Sequence, residues 1–122
     1  MIDQGWEGSV SEVAVVTVDG DPLRGALDTG RGDAGIVPPT LPATWWQQIP
    51  QPWLSDDLRL VLREQTIDLL CPLVPGERLN CTIRLERIRR RGAHQYLTAC
   101  LEARSAGSAL VARAVSHLVV IP

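Results

Sequence analysis

The chain has no lysine and no phenylalanine, so all 12 of its basic residues are arginine. That bias fits the composition of a GC-rich coding sequence better than any physical requirement. The formal net charge is only −2, which gives no reason to expect nucleic acid as a partner. No apolar run approaches the roughly 18 residues needed to span a bilayer, so no membrane is expected. Residues 1–11 carry Asp3 and Glu7 and no basic region ahead of an apolar stretch, so a signal peptide is not expected. The cysteines, Cys71, Cys81 and Cys100, are odd in number and lie in apolar, strand-like runs. Reduced thiols in a cytoplasmic protein are expected rather than a disulfide framework. They form no Cys-x-x-Cys or Cys/His spacing for a metal, and no glycine-rich phosphate loop follows a strand. No metal or cofactor is expected.

What remains is ordinary for a globular domain: 122 residues, 45% hydrophobic and 21% charged. The length fits one domain over residues 1–122. A domain of this size buries only about two thirds of its unfolded surface, so pairing with a partner would help it.

Ser11 to Asp19 is rich in β-branched residues and ends in the Gly20-Asp21-Pro22 turn signal, predicting a first strand. Pro22 and Gly30 bracket a short helix over 23–27, and residues 28–39 read as loop. Thr40 as N-cap and Pro42 in the first turn open a helix over 40–49, which Pro50 and Pro52 stop.

From Leu58 the period changes to two. Leu79, Cys81, Ile83 and Leu85 alternate with Arg78, Asn80, Thr82 and Arg84, the mark of a half-buried strand. Strands are predicted over 58–71, 77–90, 94–104 and 109–121. The last, apolar on both faces, predicts a central position. Pro75-Gly76 reads as the turn that reverses one strand into the next. The pattern is α+β: a helix packed on a curled antiparallel meander.

Three segments carry a resemblance. Val37-Pro38-Pro39-Thr40-Leu41-Pro42 resembles the Pro-Pro-Thr entry to the central helix of the MaoC-like acyl dehydratases and hydratases. Leu69-Leu70-Cys71-Pro72-Leu73-Val74-Pro75-Gly76-Glu77-Arg78-Leu79 resembles their Pro-Leu-x-Pro-Gly-Asp strand connection. Residues 84–120, turning at Arg91-Gly92 and Ala106-Gly107, resemble their last three strands. The likeness spans residues 36–121. It implies a hot-dog fold, a curled antiparallel sheet wrapped around a central helix, and it extends to the non-catalytic subunits of heterodimeric 3-hydroxyacyl dehydratases.

The resemblance also shows what is missing. Active relatives carry Asp-x-Asn-Pro-x-His before the central helix, where the Asp and His handle the proton and water. Here the matching place reads Asp28-Thr29-Gly30-Arg31-Gly32-Asp33. Asp28 takes the place of the family's Asp. Asn-Pro is absent, Asp33 stands where His belongs, and the loop is shortened. Catalytic candidates are therefore Asp28, Asp33 and His117. His94 reads as a turn residue, and His117 reads equally as a sheet residue with a hydrogen-bonded ring. Asp56-Asp57 reads as capping or solvated, and Arg31-Gly32-Asp33 as a chance match to an adhesion tripeptide.

Substrate-binding candidates are Trp45, Trp46 and Trp53, for an acyl groove or subunit interface, and Arg89, Arg90 and Arg91. The arginines form either a solvated hairpin or a docking patch for CoA phosphates or an acidic carrier protein. Trp45 and Trp46 are adjacent and would point about 100° apart on a helix, so one belongs to the core.

The expected partners are an acyl-CoA or acyl carrier protein substrate and a second hot-dog subunit. The latter is a copy of this chain or a catalytic MaoC-like protein. Three functions follow: a non-catalytic dehydratase subunit, a stand-alone homodimeric dehydratase or thioesterase with a non-standard site, and an acyl-binding module.

Overall fold

The computed structural model describes residues 2–18, 45–46, 48–55 and 57–122. The predicted helix at 23–27 and the loop at 28–39 lie outside the described residues, as does most of the first half of the 40–49 helix. Of that helix, Trp45, Trp46, Gln48 and Ile49 are described; the first three carry 3-10 geometry and Ile49 lies in a bend, so the predicted α-helix is not seen in this part.

The described strands are β1 (Ala14–Thr17), β2 (Arg59–Leu69), β3 (Arg78–Arg91), β4 (His94–Arg104) and β5 (Leu110–Ile121). They form one sheet in the order β1-β3-β4-β5-β2, and every pairing is antiparallel. The four long strands fall within two residues of their predicted bounds. The first is shorter than the predicted 11–19.

One expectation is corrected. Pro75-Gly76 does not fold β2 back onto β3. β2 pairs with β5 and β3 pairs with β1, so the connection crosses from one side of the sheet to the other. Local turn chemistry was sufficient for a hairpin, but β5, apolar on its inner face, competes for β2 and wins it over ten register pairs. The interior position predicted for β5 holds, since it lies between β4 and β2.

The two true hairpins are β3–β4 and β4–β5. Arg91 pairs with His94, leaving Gly92-Ala93 as a two-residue turn, and Gly92 sits at φ 58, as a glycine-first hairpin turn requires. In the β4–β5 turn the left-handed residue is Ser108 (φ 68) rather than the neighbouring Gly107.

Register defines the two faces. Cys81, Ile83 and Leu85 of β3 align with Ala103, Leu101 and Ala99 of β4 and, through them, with Ala112, Ala114 and Ser116 of β5, while Leu79 of β3 pairs with Val16 of β1. These residues are buried and form the inner face with Val16, Leu97 and Val120. Bulges at Leu85/Arg87 and Leu62/Glu64 bend and twist the strands locally, curling the sheet over Trp45, Ile49 and Trp53, which complete the core.

The edge of β3 beyond β1 is closed by residues 2–11. Gly8 donates to the Leu85 carbonyl at 2.7 Å, Leu85 to Ser9 at 2.9 Å, and Ser11 to Ile83 at 2.8 Å. Glu7 Oε2 accepts from Ile88 N at 2.8 Å, and Ser11 Oγ from Ile83 N at 2.8 Å. Gln95 anchors the start of this strap. Its Oε1 accepts from Ile2 N at 2.8 Å and its Nε2 donates to Ile2 O at 2.7 Å.

Candidate functional site

A cleft of about 730 Å³ lies between the inner sheet face and Trp46, Ile49, Gln51, Trp53 and Leu54. Its cause is visible in the register. Ala99 of β4 pairs with Ser116 of β5, between Leu97↔Leu118 and Leu101↔Ala114. The small pair leaves a hollow that flanking leucines do not fill. Trp46, Ile49, Trp53 and Leu54 form the other wall, and Leu60, Leu62, Leu85, Leu97 and Leu118 complete the apolar lining. Leu62 is 52% exposed and sits on β2, the end strand of the sheet, so the cleft reaches that edge. Trp6 of the strap packs against Trp53 with ring centroids 6.4 Å apart, coupling the strap to the cleft wall.

Four polar side chains, Trp46, Gln51, Gln65 and Ser116, interrupt the apolar lining, and Gln51 Nε2 donates to the Trp46 carbonyl at 3.4 Å. Gln65 Nε2 donates to Ser116 Oγ at 2.8 Å, and Trp46 Nε1 is buried without an acceptor among the described residues. The described lining holds no ionisable side chain. Nothing in it can exchange a proton near neutral pH.

The same architecture recurs in solved structures. A hot-dog-like protein from Thermanaerovibrio acidaminovorans matches with a TM-score of 0.66 and 15% identity, covering 94% of this chain and 82% of its own. The 3R-hydroxyacyl-ACP dehydratase complex HadBC from Mycobacterium tuberculosis matches at 0.62 and 13% identity, over 93% of this chain and 96% of its own. The chain has the hot-dog fold. A 1,4-dihydroxy-2-naphthoyl-CoA thioesterase from Synechocystis shares it at a TM-score of 0.59 and 23% identity, over 93% of this chain and 82% of its own. MaoC-like dehydratases and the ChsH1-ChsH2 complex from Mycobacterium tuberculosis also match. No family profile and no curated protein matches the sequence. At these identities the likeness establishes the hot-dog fold.

On the hot-dog frame the tryptophans divide as adjacency requires. Trp45 is 1% exposed in the core, while Trp46 and Trp53 line the cleft. His117 lies on the outer face of the sheet, opposite the cleft. It pairs with Thr98 and Glu64 in register, and its Nδ1 is 3.3 Å from Thr98 Oγ1. A shallow hollow there is lined by Arg63, Glu64, Tyr96, Thr98 and His117, with the Arg63 guanidinium 5.5 Å from the Tyr96 ring centre.

Arg89, Arg90 and Arg91 are exposed at the β3–β4 hairpin, and Arg90 Nε reaches the Gly92 carbonyl at 3.4 Å. Asp28 and Asp33 lie outside the described residues, as does Asp56. Asp57 is exposed and accepts from Ser55 Oγ, a bond that holds its carboxyl below the usual range. His94 is exposed at the start of β4.

The sequence reading missed Gln65 and Ser116. Both sit in apolar runs, and only register shows them side by side. It also missed the setting of Cys100. Buried on the outer face, its sulfur accepts from Arg113 Nε at 3.2 Å. Burial raises its thiol pKa more than the guanidinium lowers it. Cys81, buried on the inner face, is pushed up to about 11 by desolvation. Cys71 is exposed. Among the described residues no three His, Cys, Asp or Glu side chains cluster as a metal site would need. No helix among them is long and apolar enough to cross a membrane.

Proposed function

We propose that the chain is a MaoC-like hot-dog subunit that binds acyl thioesters and serves as the non-catalytic member of a dehydratase or hydratase. One observation carries this reading. The described lining of the cleft is apolar and offers no acid or base, while His117 lies on the opposite sheet face. An apolar cleft with few polar groups suits a small apolar ligand.

Assembly follows from the edge. Among the described strands β2 ends the sheet, and it exposes Val61 (47%), Leu62 (52%) and Leu69 (37%), with Leu70 (57%) just beyond. Unpaired strand edges and exposed apolar patches invite pairing. A partner seated there would close the mouth of the cleft and supply the missing Asp and His. HadBC and ChsH1-ChsH2, both solved as complexes, share the fold. The acyl group enters as the thioester of CoA or of a carrier protein, with Arg89, Arg90 and Arg91 as the docking patch for its phosphates or acidic surface. Residues 1–122 are taken as one hot-dog domain in a cytoplasmic setting.

The test is reconstitution. The chain is co-expressed with a MaoC-like subunit that carries an intact Asp-x-Asn-Pro-x-His motif, taken from a neighbouring gene where one encodes it. A stable complex that hydrates crotonyl-CoA is expected. Failure of the two to associate, with the chain hydrolysing or hydrating thioesters as a homo-oligomer, would replace this reading with the stand-alone enzyme. Asp28 and Asp33 would then be its candidate acids.

A further inference from the structure

We propose that the sheet face opposite the cleft is a docking surface for an acidic helix of a partner protein. This rests on the docking reading of Arg89 and Arg91, not on the acyl reading of the cleft, and commits that docking to a protein.

A bulge builds the surface. Along β3 the buried side chains Leu79, Cys81, Ile83 and Leu85 hold odd positions, and the next one, Ile88, holds an even position. The register shift between Leu85 and Arg87 makes that change. Arg87, Arg89 and Arg91 therefore stand exposed on the outer face, where an unbroken period of two would have turned them toward the core. On β2, Arg59 pairs with Ile121, and Arg63 reaches over the sheet until its guanidinium lies 5.5 Å from the Tyr96 ring centre. Both are exposed.

The arginines thus form two rows. Arg87, Arg89 and Arg91 recur at about 6.7 Å along β3, and Arg59 and Arg63 lie three strands away, about 14 Å across the sheet. Register sets Tyr96, Val119 and Val61 between them, opposite Arg89. The ion pairs joining described residues are Arg104–Glu102 and Arg113–Glu86, and neither uses an arginine of the rows.

Shape and charge select the occupant. Recognition of one phosphate needs donors that converge on it, and these stand in lines. An anionic membrane is a plane, and the other half of this face carries Glu86, Glu102 and Asp68, which it would repel. An α-helix is about 10–12 Å across. It fits between the rows with carboxylates on both flanks and an apolar stripe over Tyr96 and Val119. Pairing at the edge of β2 extends the sheet and leaves this face open.

The probe is a fluorescein-labelled helical peptide of about 20 residues, long enough to hold a helix in water, with a leucine stripe flanked on both sides by glutamate. Fluorescence anisotropy reads its binding to the full chain at low ionic strength, where charge contacts are least screened. Arg63→Glu with Arg87→Glu reverses one charge in each row, and affinity should fall about tenfold or more. Arg78→Glu with Arg104→Glu changes the net charge equally at the far end of the sheet and should shift affinity by less than about twofold. A peptide of the same composition with its stripe scrambled should bind about tenfold more weakly.

Arg63→Gln with Arg87→Gln, expected to weaken binding about threefold, keeps the test open if the reversal pair does not fold. Equal losses in the two reversal pairs, or equal binding of the scrambled peptide, reduce the effect to bulk charge and overturn the inference. Coenzyme A and phosphatidylglycerol vesicles are the competing probes. If either binds while the peptide does not, the docking reading of the arginines stands with a phosphate occupant and this inference falls. No binding of any probe sinks both.

Discussion

Gln95→Leu removes the clamp on the N-terminal strap while keeping the side chain's bulk. Gln95 is 5% exposed and Ile2 is 4% exposed, and the two amide bonds between them measure 2.8 and 2.7 Å. Each such bond contributes about 0.5–1.5 kcal/mol net, and each backbone group left buried without a partner costs about 1–3 kcal/mol. The strap can escape part of this by lifting into water, at the expense of Ile2's own burial, about 1.5–3 kcal/mol. Both routes place the cost near 2–4 kcal/mol. For a chain of this length each kcal/mol moves the melting temperature by roughly 4 °C, so a fall of roughly 8–16 °C is expected.

Circular dichroism melts of wild type, Gln95→Leu, Ile2→Ala and the double variant form the assay. The strap carries Trp6 against Trp53, so Gln95→Leu should also alter tryptophan emission. If Gln95→Leu costs under about 0.5 kcal/mol, or the two losses simply add, the strap is not held by this clamp.

Three further outcomes follow from the same structure. A thiol reagent under native conditions should titrate Cys71 quickly and leave Cys81 and Cys100 until the chain unfolds, because both are buried with raised thiol pKa values. Three fast thiols would contradict the burial. Ser108→Gly should stabilise by about 0.5–1 kcal/mol, since Ser108 sits at φ 68 and glycine adopts that conformation freely. A loss in chemical denaturation would show that its side chain matters more than its backbone. Val61→Glu combined with Leu69→Glu, both exposed on β2, should weaken self- or hetero-association at least tenfold by sedimentation and leave the melting of the separated chain near its original value. Unchanged association would move the interface elsewhere.

The strands were legible because their signals are local. Period-two alternation from Arg78 to Leu85 and the Arg91-Gly92 turn fix β3 and the β3–β4 hairpin within the chain segment that shows them. The pairing of β2 was not legible. Pro75-Gly76 has the chemistry of a reversal, and nothing near it says that the partner of β2 lies some fifty residues onward in β5. The strap escaped notice for the same reason: Ile2, Gln4, Glu7 and Ser11 look unremarkable until Gln95, Ile88 and Ile83 are set beside them.

Of the site, the division of Trp45 from Trp46 between core and groove was readable from their adjacency. The cleft floor was not, because Ala99 and Ser116 are small residues in unremarkable places whose juxtaposition makes the hollow. His117 illustrates the limit from the other side. A histidine in the last strand could face either way, and only register shows that it pairs with Thr98 and Glu64 on the outer face.

The central proposal, that this chain serves as a non-catalytic subunit, is tested most directly by the hydration rate of crotonyl-CoA with the purified chain. Loss of a general acid or base of this kind costs about 10² to 10⁴ in rate, so a rate at least that far below the reconstituted complex is expected. Asp28→Asn and His117→Ala should leave this residual rate unchanged. Turnover by the isolated chain that rivals the complex, and that Asp28→Asn or His117→Ala abolishes, would contradict the account.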